Sequence, residues 1–105
     1  MLFRSSTQPT AVVASNDWTA IGALHAIQAG GLRVPHDISL VGFDDIPLVS
    51  YTTPALTTVR MSAADVGATG FQALFRLIGG ERHEGEVYQI PTTLVIRAST
   101  AKATR

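Results

Sequence analysis

Pro9-Thr10-Ala11-Val12-Val13-Ala14-Ser15-Asn16-Asp17 is the stretch from which the fold of this 105-residue chain is read. Ala11 to Ala14 is a short apolar run with two valines and no polar alternation, the pattern of a parallel strand covered on both faces. Ser15, Asn16 and Asp17 can each cap a helix. Ile21, Leu24 and Ile27 then recur at helical spacing until Gly30-Gly31 ends the pattern, which predicts a helix over Asp17–Ala29. After the turn-prone Leu32–Asp37 comes a second nearly continuous apolar run, Ile38–Phe43. Strand, helix and strand make a βαβ unit with a right-handed crossover, and the fold class is α/β.

Outward from that unit, Asp44-Asp45-Ile46-Pro47 breaks the second strand, and the residues up to Pro54 read as a loop. Leu56–Met61 reads as a short extended segment. Ser62 and Asp65 form a capping-box arrangement that opens a second helix, with Val66, Phe71, Leu74, Phe75, Leu77 and Ile78 as a wide apolar face and Gly79-Gly80 as its end. A polar turn, Glu81–Glu86, leads to strand-like Val87–Ile90 and Leu94–Ile96, and the tail Ala98–Arg105 reads as frayed. Two buried-type parallel strands need helices on both faces, and only two helices are at hand. The chain therefore reads as part of something larger.

Composition narrows the function. With 8 basic and 8 acidic side chains, a net charge of zero and 15% charged residues, these residues carry no basic stripe able to neutralise phosphates. They should bind neither DNA nor RNA by themselves. The absence of cysteine removes disulfides, thiolate catalysis and cysteine-based zinc sites. The longest apolar runs fall far short of the about 18 to 20 residues of a membrane span, and Met1–Ser6 is unlike a secretory signal. The expectation is one soluble, cytoplasmic domain at most.

In an open α/β sheet, ligands sit beyond the carboxyl ends of the strands, and here two strand ends deliver Asn16-Asp17 and Asp44-Asp45 to that edge. Neighbouring strands about 4.8 Å apart would let both groups contact one small molecule. The plainer readings are helix capping for Asn16 or Asp17 and turn formation for Asp44-Asp45. Trp18 could offer a ring face to a sugar or base, or simply pack. An enzymatic alternative uses Asp17, Asp44 and Asp45 to hold Mg²⁺ for phosphoryl transfer. Against it, no phosphate-binding glycine loop precedes the first helix, and Lys102 is the only lysine. His25, His36 and His83 lack metal-ligand spacing and read as surface residues. No cofactor, no metal and no enzymatic activity are expected.

Taken together, Pro9–Asp17, Ile21–Leu24, Gly31–Asp45, Tyr51–Arg60 and Ile90–Ser99 resemble, in order and spacing, the C-terminal part of lactose-repressor-like (LacI/GalR) transcription regulators. The resemblance implies part of a type I periplasmic-binding-protein-like effector domain, whose two subdomains close around a sugar, nucleobase or similar molecule. It assigns 1–8 to a polar lead-in, 9–99 to the effector-binding and dimerisation domain, and 100–105 to a frayed tail. Within that domain, 9–58 and 87–99 fall to the C-terminal subdomain, and 62–80 to a helix of the N-terminal one. The family's helix-turn-helix has no counterpart in these residues, so DNA would be a partner only through a region outside them. Carried over by position, Asp17 matches an acidic effector contact with Asn16 and Trp18 beside it, and Met61 stands where relatives often place a polar residue near the ligand. Asp44 and Asp45 lie in the strand-end turn, where contact and structural roles both fit. A homo-oligomer is implied, and a solute-binding protein of a transport system is the nearest rival.

Overall fold

The computed structural model describes residues 8–81 and 85–104. The elements run β1 (Ala11–Val13), α1 (Asp17–Ala29), β2 (Ser39–Val41), a short 3-10 helix (Pro47–Ser50), β3 (Thr58–Met61), α2 (Ala63–Ile78) and β4 (Thr92–Val95). The chain divides into two compact units, Met1–Arg60 with Leu94–Arg105, and Met61–Thr93.

In the first unit, β1 and β2 pair in parallel with Ala11 opposite Ser39, Val12 opposite Leu40 and Val13 opposite Val41. The crossover is α1, as its sequence predicts. Asn16 supplies the N-cap, its Oδ1 accepting from Thr19 N at 2.8 Å, and Gly30 closes the last turn by donating to Ala26 O. Ala20, Leu24 and Ile27, spaced three and four apart, form the buried stripe of α1. They pack in one core with Ala14, Val34, Ile38, Leu40, Val49 and Leu56. On its other side β2 is continued by residues 57 to 60, through Gly42 N to Thr57 O and Asp44 N to Val59 O, both 2.9 Å. β3 also pairs with β4 in a second two-stranded sheet.

Several expectations need correction. Within these residues β1 is covered on one face, as too few helices for two faces implies: Val12 packs against the core, and Val13, pointing the opposite way, is 77% exposed. Successive strand side chains alternate, and α1 covers one face only. Inside the expected loop Asp44–Pro54, Pro47 starts a 3-10 turn because its ring presets the required φ, and Val49 from that turn plugs the core. Val87–Ile90 forms no strand. Its carboxyl-side neighbours Thr92–Val95 do, because a strand requires a partner for its backbone and β3 supplies one there.

The start of the expected frayed tail, residues 98 to 101, also departs from expectation, since it is tied down. Ser99 is fully buried; its hydroxyl donates to Leu40 O and accepts from Thr57 N, while Leu40 N donates to Ser99 O. Thr100 Oγ1 lies 2.8 Å from Thr57 Oγ1, and Ala101 N donates to Ser39 Oγ at 3.1 Å. These polar residues look disordered locally, but they satisfy backbone groups of β2 that would otherwise be orphaned.

In the second unit, the Ser62 hydroxyl accepts from Asp65 N at 3.2 Å and opens α2, and Gly79 ends it by donating to Phe75 O. No residue of α2 is buried. Phe71 and Phe75, four apart, stack with centroids 6.0 Å apart, and with Leu74 and Ile78 they leave an apolar face open. Of the expected polar turn Glu81–Glu86, residues 82–84 lie outside the described residues, as does most of the lead-in 1–8.

Candidate functional site

The carboxyl edge of β1 and β2 is built around Asp17, but not as the sequence suggests. Asp17 has no solvent exposure at all. Its amide donates to Phe43 O at 2.8 Å, which draws the start of α1 against the end of β2. Its Oδ1 accepts from the Thr58 hydroxyl at 2.7 Å and its Oδ2 from Ile46 N at 2.8 Å. Gly42 runs so close that a Cβ there would collide with Oδ1. Asp17, expected to be the effector contact, is thus placed by the structure as an internal brace, with both oxygens used and no path to a ligand. It orders the edge from beneath.

What it orders is the turn Asp44-Asp45, where both residues adopt left-handed backbone, with φ of 119° and 57°. Aspartate tolerates such values better than most side chains, but each still costs of order 1 to 3 kcal/mol and persists only where the surroundings fix it. Here they do: Asp44 N is bound to Val59 O, Asp45 N approaches the Thr58 hydroxyl at 3.4 Å, and Ile46 N is held by Asp17. The two adjacent carboxylates have opposite surroundings. That of Asp45 turns inward, with its side chain only 9% exposed, and meets Arg97 Nη2 and Arg60 Nε, each at 2.7 Å. The carboxylate of Asp44 is exposed and makes no hydrogen bond or ion pair with the described residues.

Burial pushes the Asp45 pKa up, but hydrogen bonds and charge from Arg97 and Arg60 outweigh it and hold the carboxyl below its ordinary 3.8. A lowered folded pKa means that Asp45 contributes stability in full above the unfolded value, and that this is lost as pH falls through the folded one. Asp45→Asn should therefore flatten the acid limb of the stability curve, between about pH 5 and pH 2, and lower the plateau above it. Denaturant melts across that range check this; parallel curves for the two proteins would contradict it.

Three groups remain available at the edge. The Asn16 Oδ1 is spent on the cap, but its amide N–H groups have no partner among the described residues. Trp18, in the first turn of α1, is 65% exposed. The Asp44 carboxylate is the third. Because the Asp17 N to Phe43 O bond joins the two strand ends, Asn16 and Asp44 flank one point of the edge. Met61 is half-buried, is the last residue of β3 and is counted with the second unit.

The Mg²⁺ reading loses its ligands, since Asp17 and Asp45 are occupied by internal donors. Among the described residues no three acidic or histidine side chains gather to hold a metal. His25 and His36 are exposed and apart from the edge, and His83 lies outside the described residues. Thr58, Gly42 and Arg97, which complete the site's scaffold, escape a reading of the sequence, because Thr58 bonds Asp17 across 41 positions and Arg97 bonds Asp45 across 52, and no local pattern marks them. No helix among the described residues is long and apolar enough to cross a membrane.

Comparison with known proteins places this arrangement. The family described as periplasmic binding protein-like domain matches residues 2–100. The HTH-type transcriptional regulator MalR of Streptomyces coelicolor is 44% identical over 90% of this chain and 27% of its own length. Among solved structures, the lac repressor dimer bound to operator and the anti-inducer ONPF superposes with a TM-score of 0.81 at 39% identity, over 90% of this chain and 32% of that one. A LacI family regulator from Enterococcus faecium with bound ribose gives 0.78 at 32% identity, over 95% and 37%. The chain spans less than a third of the length of the curated relatives it matches, and those relatives are transcription regulators rather than enzymes. Sequence pattern, parallel βαβ topology and these likenesses agree that the chain belongs to the periplasmic binding protein-like domain family, in the form found in LacI-type transcription regulators.

Proposed function

We propose that this chain is the effector-contacting part of a transcriptional repressor that binds a sugar or related small metabolite and acts in the cytoplasm as a dimer. The observation that carries the reading is the Asp44 carboxylate, exposed and unpartnered at the strand edge while every neighbouring acidic group is consumed internally. A carboxylate in that position accepts hydrogen bonds from two adjacent hydroxyls of a sugar ring. The Asn16 amide supplies donors beside it, and the Trp18 face offers a surface for the ring's C–H groups. The ribose bound to the Enterococcus faecium relative supports the same class of ligand.

Titration calorimetry of the complete regulator with D-ribose and D-glucose tests this. Asp44→Asn keeps size and turn propensity but removes the charge, and loss of a charged acceptor costs about 1.5 to 3 kcal/mol. The expected result is affinity weakened about tenfold or more with an unchanged melting temperature. Equal affinity in the variant would remove Asp44 from the site.

The dimer proposal draws on the lac repressor dimer structure; as a separate matter, the 105-residue chain by itself leaves the apolar face of α2 open. Each large apolar side chain taken out of water contributes about 1.5 to 3 kcal/mol, so Phe71, Leu74, Phe75 and Ile78 together provide a strong drive for association. The 105-residue chain should self-associate at micromolar concentration, and Phe71→Glu with Phe75→Glu should return it to monomer, as followed by light scattering. A monodisperse wild-type monomer would exclude this face as the cause.

A further inference from the structure

We infer that Asp45, gripped by Arg97 and Arg60, is the positioning residue that presents the Asp44 carboxylate at the strand edge. The inference rests on the reading of Asp44 as the effector contact and adds how that contact is held. Two consecutive non-glycine residues at positive φ do not stay there by preference, and among the described residues nothing grips the side chain of Asp44 itself. Its direction is therefore set by the backbone, and besides the amide bonds of the turn that backbone is held through the next side chain along. Asp45 is fixed at both oxygens, Oδ1 by Arg97 Nη2 and Oδ2 by Arg60 Nε, from two segments far apart in sequence.

Arg97 is itself anchored. Its side chain is only 17% exposed, its Nη1 donates to Leu56 O at 3.0 Å, and its backbone N donates to the Thr57 hydroxyl at 3.0 Å. The Asp45–Arg97 bond is thus shielded from water, whereas the Arg60 side chain is 59% exposed and its pair is screened by solvent. This ranks the two: Arg97 is the fixed post and Arg60 an outer clasp. An asparagine at 45 keeps the shape but turns one acceptor into a donor facing an arginine, so the grip fails on one side without a cavity. The turn can then relax toward ordinary φ, and Asp44 swings away from Asn16.

Amide hydrogen exchange in the 105-residue chain tests this without a ligand. The reporter is the Asp44 N–H, which is closed by Val59 O, and the controls are Leu40 and Ala14, which donate to Ser99 O and Val41 O. After correction for intrinsic rates, Asp45→Asn and Arg97→Gln should each speed Asp44 exchange at least tenfold more than that of the two control amides, whose change reads the global loss of stability. Arg60→Gln should change Asp44 less than threefold. Unchanged Asp44 protection in the first two variants overturns the inference, and so does an equal loss at Asp44, Leu40 and Ala14, which would mark the pair as general stabilisation. A parallel titration of the complete regulator with D-ribose and D-glucose separates this from the effector reading. Sugar binding that is intact in Asp45→Asn overturns the positioning role. Absence of sugar binding in the wild type, with the selective exchange effect present, supports the positioning of Asp44 and counts against sugars as its ligand.

Discussion

Asp17→Ala should remove a large share of the chain's stability. The substitution strands two donors, the buried Thr58 hydroxyl and the part-buried Ile46 N, which now both bond the Asp17 carboxylate. Each unsatisfied buried donor costs about 1 to 3 kcal/mol, and the vacated volume adds to that. A loss of roughly 3 to 5 kcal/mol compares with a total of about 5 to 15 for a typical domain. For a chain of this size the melting temperature should fall by about 12 °C or more. Asp17→Asn should be far milder, because the amide oxygen can accept from Ile46 N while its N–H donates to the Thr58 hydroxyl. Thermal melts by circular dichroism read both. If the alanine variant melts within a few degrees of the wild type, the brace described above is wrong.

The next largest effect is expected at Gly42, where the same brace sets a steric limit. A Cβ there would run into Asp17 Oδ1 and lie 3.3 Å from both Asp17 Cγ and Ala20 Cβ. Neither neighbour can yield freely, since Asp17 is held by its two donors and Ala20 is fully buried in the core. Overpacking of this kind costs about 1 to 3 kcal/mol, and more if the carboxylate is driven off Thr58. Gly42→Ala should therefore destabilise strongly in the wild type. In an Asp17→Ala background the nearest obstacle is gone and only Ala20 Cβ remains close, so the double variant should be more stable than the sum of the single losses implies, by about 0.5 to 3 kcal/mol. Urea denaturation of the four proteins closes the cycle, and strict additivity would show that the two positions do not meet.

These positions also show where the sequence is readable and where it is not. The helix Asp17–Ala29 is legible because its determinants are local: a capping asparagine, apolar residues at helical spacing and a glycine at the end. The parallel pairing of β1 with β2 follows from two apolar runs joined by that helix. The roles of the four polar residues at the edge cannot be reached this way. Asp17 and Asp44 carry the same side chain at equivalent strand ends, yet one is sealed inside and the other faces water. The difference is made by Thr58, 41 positions away, and by the absence of a side chain at Gly42. Ser99 and Thr100 mislead for the same reason, since a hydroxyl that closes a distant backbone bond looks like any other polar residue in a tail. Val87–Ile90 misleads in the opposite sense, because β-branched composition favours a strand only where a neighbour can take up the ladder.

The first unit is assembled from two pieces of chain separated by the whole of the second, with Leu94–Arg105 returning after Met61–Thr93. During synthesis the early piece emerges with Leu40 N still lacking Ser99 O, and with Asp45 still lacking Arg97. At about 5 to 20 residues per second, the ribosome takes several seconds to deliver those partners. The nascent βαβ unit must wait that long with its strand edge open, so stalling or premature release between residues 61 and 96 yields a chain that cannot close its own sheet and that quality-control proteases can seize.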